Sequence, residues 1–91
     1  RAVEAQQLLR QGWENLKHGY ESEALARFEQ SLQQDNTIYI AHAYLARLYR
    51  KNGTKDRVED HYVRATRFST SVNPEVHALA CIEYATWLEE E

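Results

Sequence analysis

The 91-residue sequence has one proline, three glycines, one cysteine and no methionine. So few turn formers cannot serve the many tight reversals of a sheet-rich domain, and helices are the natural reading. A lone Cys81 cannot build an internal disulfide framework, which fits a reducing compartment, and the expectation is cytosol or nucleus. No apolar run reaches the ~18 residues of a membrane span, and neither a signal-peptide pattern nor an initiator Met is present, so the chain reads as a piece of a longer intracellular protein.

Charge is also missing from one place. Residues 68–91 carry five acids and neither Lys nor Arg. Residues 1–46 set Arg1, Arg10, Lys17 and Arg27 against six acids. Between them Arg47, Arg50, Lys51, Lys55, Arg57, Arg64 and Arg67 face only Asp56, Glu59 and Asp60, so the middle third is an electropositive belt inside a chain of net charge −3.

Periodicity predicts five helices and no strand. Leu8, Gly12 and Leu16 mark a first helix over about 3–17, closed by His18 and Gly19. In "GYESEALARFEQSL", Ala24, Phe28 and Leu32 lie four apart on one face of a second helix, over about 21–34. Asp35, Asn36 and Thr37 offer cap chemistry before a third, which carries Leu45, Ala46, Leu48 and Tyr49 and stops at "KNG". A fourth carries Val58, Tyr62 and Ala65. Asn73, Pro74 and Glu75 open a fifth, running to about Glu89.

A shift of 34 residues superposes Gly19 on Gly53, Phe28 on Tyr62, Gly12 on Ala46, Ala24 on Val58 and Ser31 on Ala65. One helical hairpin cannot bury its stripe alone, whereas stacked copies can, with small residues at Gly12, Ala46 and Ala80 where paired helices come closest. This period and these residues resemble the tetratricopeptide repeat, a helix-turn-helix unit of about 34 residues. "AYLARLYRKNG" carries the resemblance best, followed by Val58, Tyr62 and Ala65. Leu8, Gly12, Gly19, Ala24, Phe28 and Ser31 carry it in the first copy. Gln11 and Asn15 replace expected apolar residues, and Asn36 and Thr70 stand where the family ends a repeat with proline. The resemblance implies a single all-α domain over 1–91, a right-handed superhelical solenoid with repeats at 5–38 and 39–72. A capping or partial-repeat helix over 73–91 follows, with Leu79 and Ala80 in register.

The same resemblance implies a non-catalytic protein-interaction module, an adaptor or scaffold whose concave groove is lined by the first helix of each pair. Carried over position by position, the groove residues are Gln6, Leu9, Trp13 and Lys17, then Ile40, Ala43, Arg47, Arg50 and Lys51, and finally His77, Cys81 and Tyr84. The expected partner is a segment with apolar and acidic groups, with Trp13 as its anchor. Alternatively Trp13 packs into the gap left by Gln11 and Asn15. Relatives that clamp chaperone tails use Lys, Asn and Arg at the places occupied here by Leu9, Trp13, Tyr44, Pro74 and Ala78, so that ligand is disfavoured.

The ending "CIEYATWLEEE" also resembles the half-a-tetratricopeptide repeats of RNA-processing scaffolds through Tyr84, Ala85, Trp87 and Glu89. This supplies the alternative, a scaffold acting by subunit assembly or dimerisation, with self-association through the last helix. Direct nucleic-acid binding would need the belt through Arg64 and Arg67 plus stacking by Tyr44, Tyr49 or Tyr62, of which Tyr49 and Tyr62 fall on inward positions. Catalysis is not expected. No CxxC, HExxH, phosphate loop or nucleophile elbow occurs. His77 and Cys81 lie four apart but make only two ligands, and His18, His42 and His61 read as isolated, with His42 replacing a larger core residue. No cofactor or metal is expected.

Overall fold

The computed structural model describes residues 2–70 and 74–90. Within them the chain forms α1 (Ala2–Lys17), α2 (Glu21–Gln34), α3 (Tyr39–Asn52), α4 (Lys55–Ser69) and α5 (Pro74–Glu90), with no strand among the described residues. Packing runs chiefly between sequence neighbours: α1 on α2 and α3 on α4 most extensively, then α4 on α5 and α2 on α3.

The two intrapair turns are built alike. Gly19 has φ 82° and Gly53 φ 81°, the left-handed region that an L side chain avoids. In the first turn Gly19 N–H donates to Leu16 O and Tyr20 N–H to Asn15 O. In the second, 34 residues on, Gly53 N–H donates to Arg50 O and Thr54 N–H to Tyr49 O. This is the Schellman closure, which satisfies the last free carbonyls of a helix.

The core follows the expected stripes. Ala24, Phe28, Leu45, Ala46, Leu48, Tyr49, Val58, Tyr62 and Trp87 form one buried cluster. Gly12 is a point of close approach between α1 and α2, because a Cβ there would stand 2.8 Å from Phe28 Cε1. The buried Ser31 Oγ–H donates to Ala5 O at 2.8 Å and ties the same pair together.

Two local expectations need correction. Asp35, Asn36 and Thr37 do not cap α3, whose first flanking residue is Ile38 without a side-chain cap. Asp35 Oδ1 instead accepts from Thr37 N–H at 3.0 Å and Thr37 Oγ1–H at 2.6 Å, a local turn that spends its cap chemistry before the helix begins. Those donors hold the Asp35 carboxyl below its usual value. The cap expected at Asn73 lies outside the described residues.

The second correction concerns α5. Leu45 and Leu48 are buried on α3, but their counterparts 34 residues on, Leu79 and Ile82, are 65% and 62% exposed. Inward on α5 are Val76, Ala80, Glu83, Tyr84 and Trp87, so α5 does not repeat the packing of α3. The cause is specific. Trp87 rests against the Tyr62 and Tyr84 rings at 6.0 and 6.3 Å, and Glu83 reaches α3 and α4 through Arg47 and Tyr62. With Trp87 buried, α5 covers this part of α4.

Candidate functional site

An open cleft of about 230 Å³ lies between α1 and α3, lined by Gln6, Leu9, Arg10, Trp13, Ile40 and Tyr44. Leu9 and Trp13 are four residues apart on α1, and Ile40 and Tyr44 four apart on α3, so each helix presents one turn-spaced pair. Tyr44 is held from below by the buried Phe28 ring, stacked at 5.2 Å with an interplanar angle of 4°. Trp13 is 42% exposed and Ile40 39%. Trp13 therefore does not fill the gap beside Gln11 and Asn15. It stands in the cleft, with Lys17 Nζ 4.4 Å from its ring centroid.

A second cleft of about 230 Å³ continues along α3, lined by Tyr39, Ile40, Ala43, Tyr44, Arg47, Ala65, Val76 and Ala80. The two share Ile40 and Tyr44. Of the residues assigned from sequence, the structure thus places Gln6, Leu9, Trp13, Ile40, Ala43 and Arg47 along one apolar channel.

The bases of the middle third, Arg47 included, are engaged by acids of the chain. Arg47 makes three hydrogen bonds of 2.8–3.1 Å to the Glu83 carboxylate. Arg50 pairs with Glu90, and Lys51 with Glu21 at 2.6 Å. Arg57 reaches Glu29 at 3.5 Å and Arg64 reaches Asp60 at 3.1 Å. The basic belt is therefore met largely by the protein's own acids, from segments 28–40 residues away for all but the last pair. Local charge counting cannot register partners so distant in sequence.

The α5 residues are displaced by one position. Val76 and Ala80 line the channel in place of His77 and Cys81. His77 Nδ1 meets Ser69 Oγ at 3.1 Å and its Nε2 lies 3.7 Å from Cys81 Sγ, at the α4–α5 junction. Tyr84 O–H donates to Glu59 at 3.0 Å and stacks on Tyr62. Pro74, four residues later than a repeat-ending proline, is the sequence signal for this shift. No group of three or more His, Cys, Asp or Glu residues able to hold a metal occurs among the described residues.

A polar network lies behind the channel. Glu83 accepts from both Arg47 and Tyr62 O–H, the latter at 2.7 Å. Burial raises the carboxyl, but the hydrogen bonds from Arg47 and Tyr62 outweigh it and leave Glu83 below its ordinary value. Burial and the bond to Glu83 push Tyr62 up to about 12.

His42 and His61 are not isolated, as expected from sequence, but face each other with Nδ1 atoms 2.9 Å apart. Nineteen residues separate them along the chain, and the packing of α3 on α4 is what joins them. They border a cavity of about 260 Å³ with Glu29, Leu32, Gln33, Asp60 and Arg64. Burial holds both imidazoles below their ordinary value. Of the candidate base-stacking rings Tyr44, Tyr49 and Tyr62, the last two are 7% and 1% exposed and present no face to a nucleobase, while Tyr44 lines the cleft.

No helix among the described residues is long and apolar enough to cross a membrane. Comparison of the chain with protein-family models, with curated proteins and with solved structures found no match.

Proposed function

We propose that this protein is a tetratricopeptide-like helical solenoid that acts as a non-catalytic interaction module, an adaptor or scaffold. Its ligand is an extended or helical protein segment held in the channel between α1 and α3. The observation that carries the reading is the convergence of Leu9 and Trp13 with Ile40 and Tyr44 on one open apolar cleft. Aromatic and aliphatic side chains exposed in a concavity are the usual anchors of an interface. The matching Schellman turns at Gly19 and Gly53 support the repeat on which the reading rests.

The ligand presents a large apolar side chain to Trp13 and an acidic group beside it. That acid is met by Arg10 at the α1 end of the channel, beside Lys17, which shares its charge with Glu14 at 3.5 Å. Arg47, Arg50 and Lys51 already hold carboxylates of the chain, and a partner's acid would have to displace Glu83, Glu90 or Glu21.

Selection of peptides from a random displayed library, followed by calorimetry, tests the proposal. Selected peptides should carry an aromatic or aliphatic residue near Asp or Glu, and Trp13→Ala should weaken them at least ~10-fold, as loss of a hot-spot residue does. Peptides that bind wild type and Trp13→Ala equally contradict it.

A further inference from the structure

A cleft on the flank of α1 and α2 breaks the chain's own repeat. It is open, holds about 300 Å³, and is lined by Arg10, Gln11, Glu14, Asn15 and Arg27. One 34-residue step on, the places of the last four are taken by Leu45, Leu48, Tyr49 and His61, all buried. The second copy uses these positions for packing. The first fills them with guanidinium, amide and carboxylate groups around an open concavity.

Charge balance singles the cleft out. Arg47, Arg50, Lys51, Arg57 and Arg64 each hold a carboxylate of the chain. Arg10 and Arg27 hold none among the described residues, and Arg27 reaches only the neutral Gln30 Oε1, at 3.1 Å. The acid of the cleft itself, Glu14, is shared with Lys17 at 3.5 Å. Two arginines without a carboxylate therefore line one concavity, one from α1 and one from α2.

The donor set selects the anion. One guanidinium already matches a carboxylate, because its fork takes both oxygens, and a second guanidinium with two side-chain amides would then be left over. A phosphorylated side chain brings roughly two negative charges and three acceptor oxygens, enough for both arginines and for the amide donors of Gln11 and Asn15. A nucleic acid fits less well, since its repeating phosphates need a track of free bases, and the belt beyond the cleft is met by the chain's own acids. Arg10 also lines the α1–α3 channel with Leu9 and Trp13, so cleft and channel meet at one side chain.

We infer that the segment held in the channel carries a phosphorylated Ser, Thr or Tyr beside its apolar anchor, with the phosphate seated between Arg10 and Arg27. The inference rests on the channel reading and adds its regulation: phosphorylation of the partner strengthens binding, and removal of the phosphate weakens it.

The test uses pools of short peptides, each with a fixed leucine, phosphoserine at a set distance of one to four residues on either side, and random residues elsewhere. Twin pools carry serine or aspartate in place of phosphoserine. Capture on the immobilised protein picks the best phosphoserine pool. Calorimetry at one salt concentration then compares a peptide from it with its two twins on wild type, Arg27→Gln, Arg10→Gln and Trp13→Ala. Arg10 and Arg27 are exposed, so both variants are expected to keep the fold, and circular dichroism checks it. On wild type the phosphopeptide should bind at least ~10-fold tighter than the serine twin and about threefold tighter than the aspartate twin. Arg27→Gln should bring the phosphopeptide down to the level of its serine twin. The inference is overturned if no phosphoserine pool is captured above its serine twin, if the aspartate twin binds as tightly, or if both arginine variants keep the advantage of the phosphate. A single-stranded oligouridylate that binds through Arg10 and Arg27 more tightly than any phosphopeptide would also overturn it, by seating a nucleic-acid backbone in the cleft. Twins that bind equally but depend on Trp13 overturn this inference and leave the channel reading standing. A phosphopeptide that needs Arg27 and binds Trp13→Ala as it binds wild type overturns the channel reading and supports the phosphate cleft.

Discussion

The Nδ1 atoms of His42 and His61 lie 2.9 Å apart in a buried contact, so one ring must donate to the other. Asn36 O, 2.8 Å from His42 Nε2, can only accept, which places a proton on that nitrogen. In the neutral pair His42 Nδ1 is then the acceptor, His61 Nδ1–H the donor, and His61 Nε2 carries a lone pair toward Glu29 Oε1 at 4.0 Å. The groups facing the pair are Glu29 from α2, Tyr49 stacked on His61, and Asp60, Arg64 and Phe68 from α4. Protonating both rings sets two N–H groups and two charges against each other.

This relationship predicts acid sensitivity between pH 7 and 5. Both imidazoles are lowered by burial from an unfolded value of about 6.5, so the unfolded chain takes up protons first as pH falls. The stability of the pair is fully present above about 6.5 and is lost as pH falls from there through the folded values. Melting temperature should therefore drop on acidification in this window, before carboxylates such as Glu83, lowered from 4.5, begin to protonate. A His42→Leu/His61→Phe variant should show a flatter profile over the same window, and an equally steep one would assign the effect to other groups.

Gly12 and the two turn glycines should fail for different reasons. Gly12→Ala gains about 1 kcal/mol of helix propensity but forces a Cβ to 2.8 Å from the immobile Phe28 ring, and overpacking of this kind costs about 1–3 kcal/mol. Net destabilisation in urea titration is expected, larger for Gly12→Val. At Gly19 and Gly53 a Cβ meets nothing within 4 Å, so Ala there costs only the left-handed backbone, roughly 1–2 kcal/mol. The two Ala variants should lose the same amount, and Asn should be milder than Ala at both.

Glu83 is the joint between α3, α4 and α5. Glu83→Gln removes the charge that Arg47 and Tyr62 O–H address, and the loss should be about 1 kcal/mol, held down by the half-exposed Arg47. The Tyr62 phenol, now at about 12 partly through Glu83, should titrate lower in the variant by ultraviolet difference spectra. An unchanged phenol titration would mean that burial alone sets it.

The two tryptophans should report separate events. Trp87, 5% exposed, should emit to the blue of Trp13, 42% exposed, when each is observed in the other's Phe variant. Trp87→Ala should cost about 3 kcal/mol and loosen α5, since a buried aromatic is lost. Amide exchange along residues 74–90 reads that loosening directly.

The helices and both glycine turns were legible because each depends on residues within a few positions: Gly19 and Gly53, and stripes such as Ala24, Phe28 and Leu32. The α1–α3 channel was legible too, through Gln6, Leu9, Trp13, Ile40 and Ala43. The packed face of α5 was not. With Val76, Ala80 and Trp87 on one side and Leu79 and Ile82 on the other, periodicity favours neither, and the choice falls to the tertiary contacts of Glu83 and Trp87. Neutralisation of the basic belt and meeting of His42 with His61 escaped for a related reason. Each joins residues separated by whole helices, so only the folded arrangement brings them together.

Partner binding in the α1–α3 channel is the proposal on which the others turn. Nuclear magnetic resonance chemical-shift mapping of the isotope-labelled protein, titrated with a library-selected peptide, tests it most directly. The largest shifts should fall on Gln6, Leu9, Trp13, Ile40 and Tyr44, with the Trp13 indole N–H among them. Shifts that leave those residues unmoved and gather on α2, the outer side of α4 or the Leu79–Ile82 face would contradict it.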